Sequence, residues 1–156
     1  MPLGNFGQIA TFVFRSAQPD EEGWSTLRRL GVKAVVKLSD ETEYPTAIEA
    51  RDAGPGVQIQ ATTVNQWNPD VATVRGIANL IQTFANAGLP TLVHCMHGRD
   101  RTGLAIGAWR LIYCGWTFDQ VQNERAAYGV TGIIALADHE ITECLKGIAG
   151  GQNPSL

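Results

Sequence analysis

VHCMHGRDRTG, residues 93–103, gathers two histidines, a cysteine, two arginines, an aspartate and two glycines into one short run. Its setting in the chain decides the fold. TLVHC, residues 91–95, reads as a short strand of the buried type, and residues 102–114 read as a helix. A strand that passes through a glycine-bearing loop into a helix is a building unit of α/β sheets. Open sheets of that class hold their ligands in loops at the carboxyl ends of strands.

Working outward, the same alternation recurs. Residues 8–15 are β-branched or aromatic and read as one strand. Asp20 is placed to cap a helix that has Glu21 and Glu22 in its first turn and stops at Gly31. VKAVVKL, residues 32–38, is a continuous strand pattern covered on both sides. Residues 43–53 read as a modest helix, 57–64 as a strand, and 70–87 as a helix with Val71, Val74, Ile77, Leu80, Ile81 and Phe84 at helical spacing. Two more helices are expected over 117–128 and 133–146. The fold class is therefore α/β: a central, mostly parallel twisted sheet flanked by helices, with the late helices packed together on one face. Residues 1–150 are expected to form a single domain and 151–156 a flexible tail.

The bulk composition fits this. A chain of 156 residues that is 44% hydrophobic and 17% charged can bury one core. A net charge of −3 argues against a general nucleic-acid binder. The start, MPLGNFGQIA, lacks the features of a signal peptide, and no apolar run is long enough for a membrane span. The expected location is cytoplasmic. Three cysteines, Cys95, Cys114 and Cys144, make no disulfide framework; Cys114 and Cys144 are expected in the core.

The run at 93–103 has a definite chemical reading. A helix N-terminus offers unpaired N–H groups and a positive dipole end, which suits an anion. Gly98 can curl the loop so that successive amides point inward. Arg101 adds a fork of donors matched to phosphate oxygens. Cys95, at the base of this cradle, is expected to favour the thiolate. A thiolate beneath a bound phosphate is poised for in-line attack, giving a phosphocysteine intermediate that water hydrolyses. Arg101 and the loop amides would stabilise the transferring oxygens, and Thr102 would donate to the cysteine sulfur and help it leave.

His94-Cys95, then Met96, His97, Gly98, Arg99 and Asp100, then Arg101-Thr102-Gly103, resembles the signature of the cysteine-dependent protein tyrosine phosphatase superfamily. NFGQIATFVFRSAQP and GWTFDQVQNERAAYG resemble segments of its compact, dual-specificity-like (atypical) members. The resemblance implies the strand, phosphate-loop, helix arrangement of those phosphatases, a reaction without metal or other cofactor, and supporting places for Ser16 and Gln18. It also implies a general acid, usually an aspartate on an upstream loop. Asp70 in NQWNPD is the candidate; its plainer reading is the cap of the next helix. Asp100 is the rival, since loops ending in DRTG occur in some lipid- and inositol-directed relatives.

The neighbouring residues carry alternatives. His94 is read as a buried histidine steadying Cys95. A metal site is disfavoured, because adjacent strand residues point to opposite faces and His139 stands alone. Met96, His97, Gly98, Arg99, Asp100 and Arg101 form the substrate-binding set. His97 and Arg99 either contact a polyanionic substrate at the rim or are simply solvated. Lys37 is a possible rim contact, and Trp67 either covers the pocket mouth or is core. The leading expectation is a phosphomonoesterase acting on phosphotyrosine and on phosphoserine or phosphothreonine of proteins. An inositol polyphosphate or phosphoinositide substrate is the alternative, and a phosphate-binding pseudophosphatase module the lesser one. The partner is then a phosphorylated protein or a small phosphorylated ligand such as an inositol phosphate, not a nucleic acid.

Overall fold

A computed structural model describes residues 3–129 and 135–151. Its elements run β1 Gly7–Ala10, β2 Val13–Ser16, α1 Glu21–Arg29, β3 Ala34–Lys37, α2 Thr46–Ala53, β4 Gln58–Ala61, α3 Val71–Asn86, β5 Thr91–His94, α4 Asp100–Tyr113, α5 Phe118–Tyr128 and α6 Ala135–Gly151. The five-stranded sheet has the order β1-β2-β5-β3-β4. β2, β5, β3 and β4 run parallel, and β1 pairs antiparallel with β2. This is the expected α/β class with helices on both faces.

The alternating strand pattern sorts side chains between two cores. Val13, Val36, Val93 and Cys95 lie in the core built with α3, α4 and α6. Phe14, Val35 and Leu92 lie in the opposite core with Trp24 and Leu27 of α1 and Ala53 of α2. By the same alternation Arg15 shares the face of Val13 and Cys95, whereas Ser16, Lys37 and His94 share the other. α4 is central to the first core. Most of its residues are buried, and it packs against α3, α5 and α6. A helix apolar all round is one enclosed by other elements.

Several boundaries differ from expectation. The strand expected over 8–15 is a hairpin: β1 and β2 are separated by a turn at Thr11-Phe12, with an irregular register between Gln8 and Ala10. A run of strand-favouring residues hides such a turn when it carries no glycine, proline or asparagine. The strand expected over 57–64 narrows to Gln58–Ala61 at the sheet edge, and Glu43 belongs to a turn ahead of α2. α4 starts at Asp100, two positions before Thr102, so Asp100 and Arg101 are helical. Gly151 closes α6, and the rest of the expected tail, 152–156, lies outside the described residues, as does the start of the helix expected at 133. No described helix is long and apolar enough to cross a membrane.

Candidate active site

Because β2, β5, β3 and β4 are parallel, their carboxyl ends meet at one edge. The loop between β5 and α4, residues 95–99, rises there. Gly98 turns it with φ +72°; a Cβ at this position would lie 2.6 Å from Ser16 C and Ala17 N. Only a residue without a side chain allows both the angle and the approach. The loop is tied from outside: Gln18 N donates to Met96 O at 3.0 Å, while Asn5 Nδ2 and Arg15 Nη2 donate to Gly98 O at 3.1 and 3.0 Å.

Cys95 is buried at the base of the loop. Thr102 Oγ1, from the first turn of α4, donates to Cys95 Sγ at 3.0 Å. Arg101 stands beside them. Its Nη1 donates to Glu43 Oε1 at 2.7 Å and to Leu38 O at 3.2 Å, and its Nη2 donates to Glu43 Oε2 at 2.8 Å. A guanidinium has five N–H donors in a fixed plane. Glu43 takes the end edge and Leu38 O the far side of Nη1. On the remaining edge the Nε–H is buried and donates to no described residue. Burial opposes the Arg101 charge, but the hydrogen bond and charge of Glu43 and the proximity of Cys95 more than offset it, so its pKa is raised. Glu43 is held below its ordinary value chiefly by the Arg101 hydrogen bond.

On the opposite face His94 enters a buried polar chain. His94 Nε2 and Glu49 Oε2 lie 2.7 Å apart, both side chains fully buried. Gln18 Nε2 donates to Glu49 Oε1 at 3.1 Å, Ser39 Oγ donates to Gln18 Oε1 at 2.6 Å, and Lys37 Nζ donates to Ser39 O at 2.9 Å. Burial pushes the Glu49 carboxyl up, but the His94 contact, the Gln18 bond and the Lys37 charge outweigh it, and its pKa falls. Lys37 is thus an internal residue of this chain, not a rim contact.

Cys95, His97, Asp100, Arg101, Glu43 and Gln66 line a cleft of about 130 Å³. It adjoins a cavity of about 410 Å³ that shares Glu43, Gln66 and Arg101 and adds Asp40, Val64 and Trp67. Trp67 is half exposed there. His97 and Arg99 are exposed, Met96 is half-buried, and Asp100 is buried. Asp70 is elsewhere. It is exposed and caps α3, accepting from Thr73 N at 3.0 Å and Thr73 Oγ1 at 2.7 Å, and the Thr73 hydroxyl is the main cause of its lowered pKa. It does not line the Cys95 cleft in this conformation.

A sequence profile described as the tyrosine phosphatase family matches residues 1–146. The chain belongs to this family. It is 33% identical over 131 residues to the putative tyrosine-protein phosphatase OCA1 of Saccharomyces cerevisiae, covering 80% of this chain and 54% of that protein. It is 29% identical over 115 residues to the dual specificity protein phosphatase TpbA of Pseudomonas aeruginosa, covering 74% and 50%. The chain thus spans about half the length of these two relatives. Among solved structures, the core catalytic domain of the PP-IP phosphatase SIW14 from S. cerevisiae, in complex with citrate, superimposes with a TM-score of 0.74 at 26% identity, over 98% of this chain and 95% of that one.

Glu43 and Gln66 line the candidate cleft, and Arg15 and Glu49 contact the residues around it; the sequence pattern reveals none of the four. Glu49 lies 45 positions from His94 and meets it only through the packing of α2 on the sheet. The one local hint is an acidic residue on a weakly amphipathic helix, which by itself is ordinary surface chemistry.

Proposed function

We propose that this member of the tyrosine phosphatase family hydrolyses phosphomonoesters through a phosphocysteine formed on Cys95. The observation that carries the reading is the Thr102–Cys95–Arg101 arrangement: a buried sulfur with a hydroxyl donor at 3.0 Å, beside a guanidinium whose outer edge is already engaged by Glu43. The Nε edge of Arg101 and the loop amides would hold three phosphate oxygens. The Cys95 thiolate would attack phosphorus as the ester P–O bond breaks, and the leaving oxygen would take a proton from a carboxylic acid. Water would then attack phosphorus, the S–P bond would break with help from the Thr102 hydroxyl, and the carboxylate would recover its proton as inorganic phosphate leaves.

Asp100 and Glu43 are the carboxyls that line the Cys95 cleft; both Glu43 oxygens are engaged by Arg101, so we assign Asp100 as the acid in this arrangement. A second reading keeps Asp70. The segment just before it, Thr63 to Trp67, lines the adjoining cavity, so an inward swing of this loop would carry Asp70 toward the cleft.

For substrate, the proposed class is phosphotyrosine, with phosphoserine and phosphothreonine, on proteins. The cavity beside Arg101 is lined by Asp40 and Glu43, both held ionised by hydrogen bonds, together with Trp67. That lining suits a peptide better than a second phosphate. An inositol phosphate is the other reading, favoured by exposed His97 and Arg99 on the loop and by the likeness to SIW14. Phosphate release from a phosphotyrosine peptide and from inositol hexakisphosphate, measured with wild type and Cys95→Ser, tests all of this. Turnover that survives Cys95→Ser would sink the cysteine mechanism. A wild type that binds phosphopeptide without turnover would make the domain a binding module.

A further inference from the structure

Arg15 is fully buried on β2, behind the reactive loop and on the same face of the sheet as Cys95. Its Nη2 donates to Gly98 O at 3.0 Å, and its guanidinium stacks on the Tyr128 ring with 3.8 Å from Cζ to the centroid. Among the described residues nothing accepts from Nε or Nη1. The charged and titratable groups that face it are Glu124 and Tyr128 on α5, Arg110 on α4, and Cys95. Glu124 is already engaged by Arg110, at 2.9 and 3.3 Å. Burial lowers the Arg15 pKa to about 10, opposed by Glu124, Tyr128 and Cys95, so it stays cationic at neutral pH.

A buried charge with no hydrogen-bonded counter-ion is costly, by several kcal/mol in general. The charged groups around Cys95 are Arg15 behind the loop, and Arg101, paired with Glu43, and Asp100 at the cleft. Arg15 is the cation among them with no hydrogen-bonded carboxylate. We infer that Arg15 is a positioning residue with two separable effects: it fixes the Gly98 carbonyl and so the curl of the loop, and its buried charge favours the thiolate form of Cys95. This rests on the phosphatase reading, which makes Cys95 the nucleophile.

The test is the rate of Cys95 alkylation by iodoacetamide against pH, together with the acid limb of kcat/KM on an aryl phosphate. Both are measured for wild type, Arg15→Met, Arg15→Lys and Glu124→Gln, with Cys95→Ser as the alkylation blank. Arg15→Met is expected to move both midpoints to higher pH by about one unit. Arg15→Lys keeps the charge and should restore the midpoints while kcat stays reduced, because an ammonium cannot both reach Gly98 O and stack flat on Tyr128 as the guanidinium does. Glu124→Gln removes the anion facing Arg15 and should move the midpoints to lower pH; it also covers the case in which Arg15→Met does not fold. Midpoints unchanged in Glu124→Gln, or unchanged in folded Arg15→Met, overturn the inference. A wild type inactive on aryl phosphate would instead sink the phosphatase reading, while alkylation would still report on Arg15.

Discussion

Thr102 Oγ1 donates to Cys95 Sγ across 3.0 Å, from the first turn of the helix whose N-terminus closes the loop. A hydrogen bond to sulfur matters most when the sulfur carries charge, as it does before attack and again on leaving phosphorus, and it lowers a barrier where that charge develops, in the second step. Thr102→Ala is therefore expected to slow breakdown of the phosphocysteine more than its formation. Losing one hydrogen bond to a charged group costs about 1.5–3 kcal/mol, or about 10- to 100-fold in rate. Stopped-flow assay on an aryl phosphate should show a burst of phenol larger than that of wild type. A fall in rate with no burst would place the role of Thr102 in the first step.

Glu43 and Arg101 form a two-point ion pair, and the geometry leaves the Nε edge of Arg101 directed away from the carboxylate. In the proposed mechanism Glu43 aligns the arginine and leaves the edge assigned to phosphate open. Glu43→Ala is expected to weaken inhibition by inorganic phosphate and to lower kcat/KM about tenfold, the scale of one charge-assisted contact. Tighter phosphate binding in the variant would mean that Glu43 competes with substrate.

Asp70 and Asp100 can be separated because asparagine caps a helix nearly as well as aspartate. Asp70→Asn should leave α3 intact, so any loss of activity reports on proton transfer. With Asp100 as the acid, Asp100→Asn abolishes the alkaline limb of the kcat profile and Asp70→Asn preserves it. The reverse pattern assigns the role to Asp70 and requires the loop before α3 to swing inward.

Much of the fold was legible because its signals are local. Asp20, followed by two glutamates, caps α1 through Gly23 N at 2.7 Å. Thr117 and Gln120 form a capping box at α5. The path of the candidate-site loop was legible for a similar reason: Cys95, Gly98, Arg101 and Thr102 are sequence neighbours whose spacing fits one strand-loop-helix turn. What supports that loop was not. Glu43 reaches Arg101 across 58 positions and Arg15 reaches Gly98 across 83, and no periodicity records such meetings. The placement of Asp70 was also open, since one aspartate can serve as a helix cap or as a mobile acid with the same sequence.

Gly98 carries a positive φ in a place where a Cβ would meet the backbone of Ser16 and Ala17 at 2.6 Å. Gly98→Ala should therefore distort the loop without removing any polar group. Backbone strain of this kind costs on the order of 1–3 kcal/mol. The expected result is near-complete loss of phosphate release with a modest drop in thermal midpoint. A variant of wild-type activity would show that the loop tolerates another path past β2.

The Glu49 carboxyl has the clearest consequence for stability against pH. Its folded pKa lies below the ordinary value of 4.5, because the His94 contact, the Gln18 bond and the Lys37 charge outweigh burial. A depressed acid contributes stability above its unfolded pKa and loses it as pH falls through the folded one. Urea midpoints should therefore decline as pH drops below about 4.5, the region where an unperturbed glutamate begins to bind protons. Glu49→Gln keeps a similar shape but lacks the charge, so it should be less stable at neutral pH and show a flatter acid decline. His94→Asn, which removes the main partner, should give a similar flattening, and the double variant should add little to either single change. An undiminished acid slope in Glu49→Gln would assign the decline to other carboxylates, of which Glu43 beside Arg101 is the first to examine.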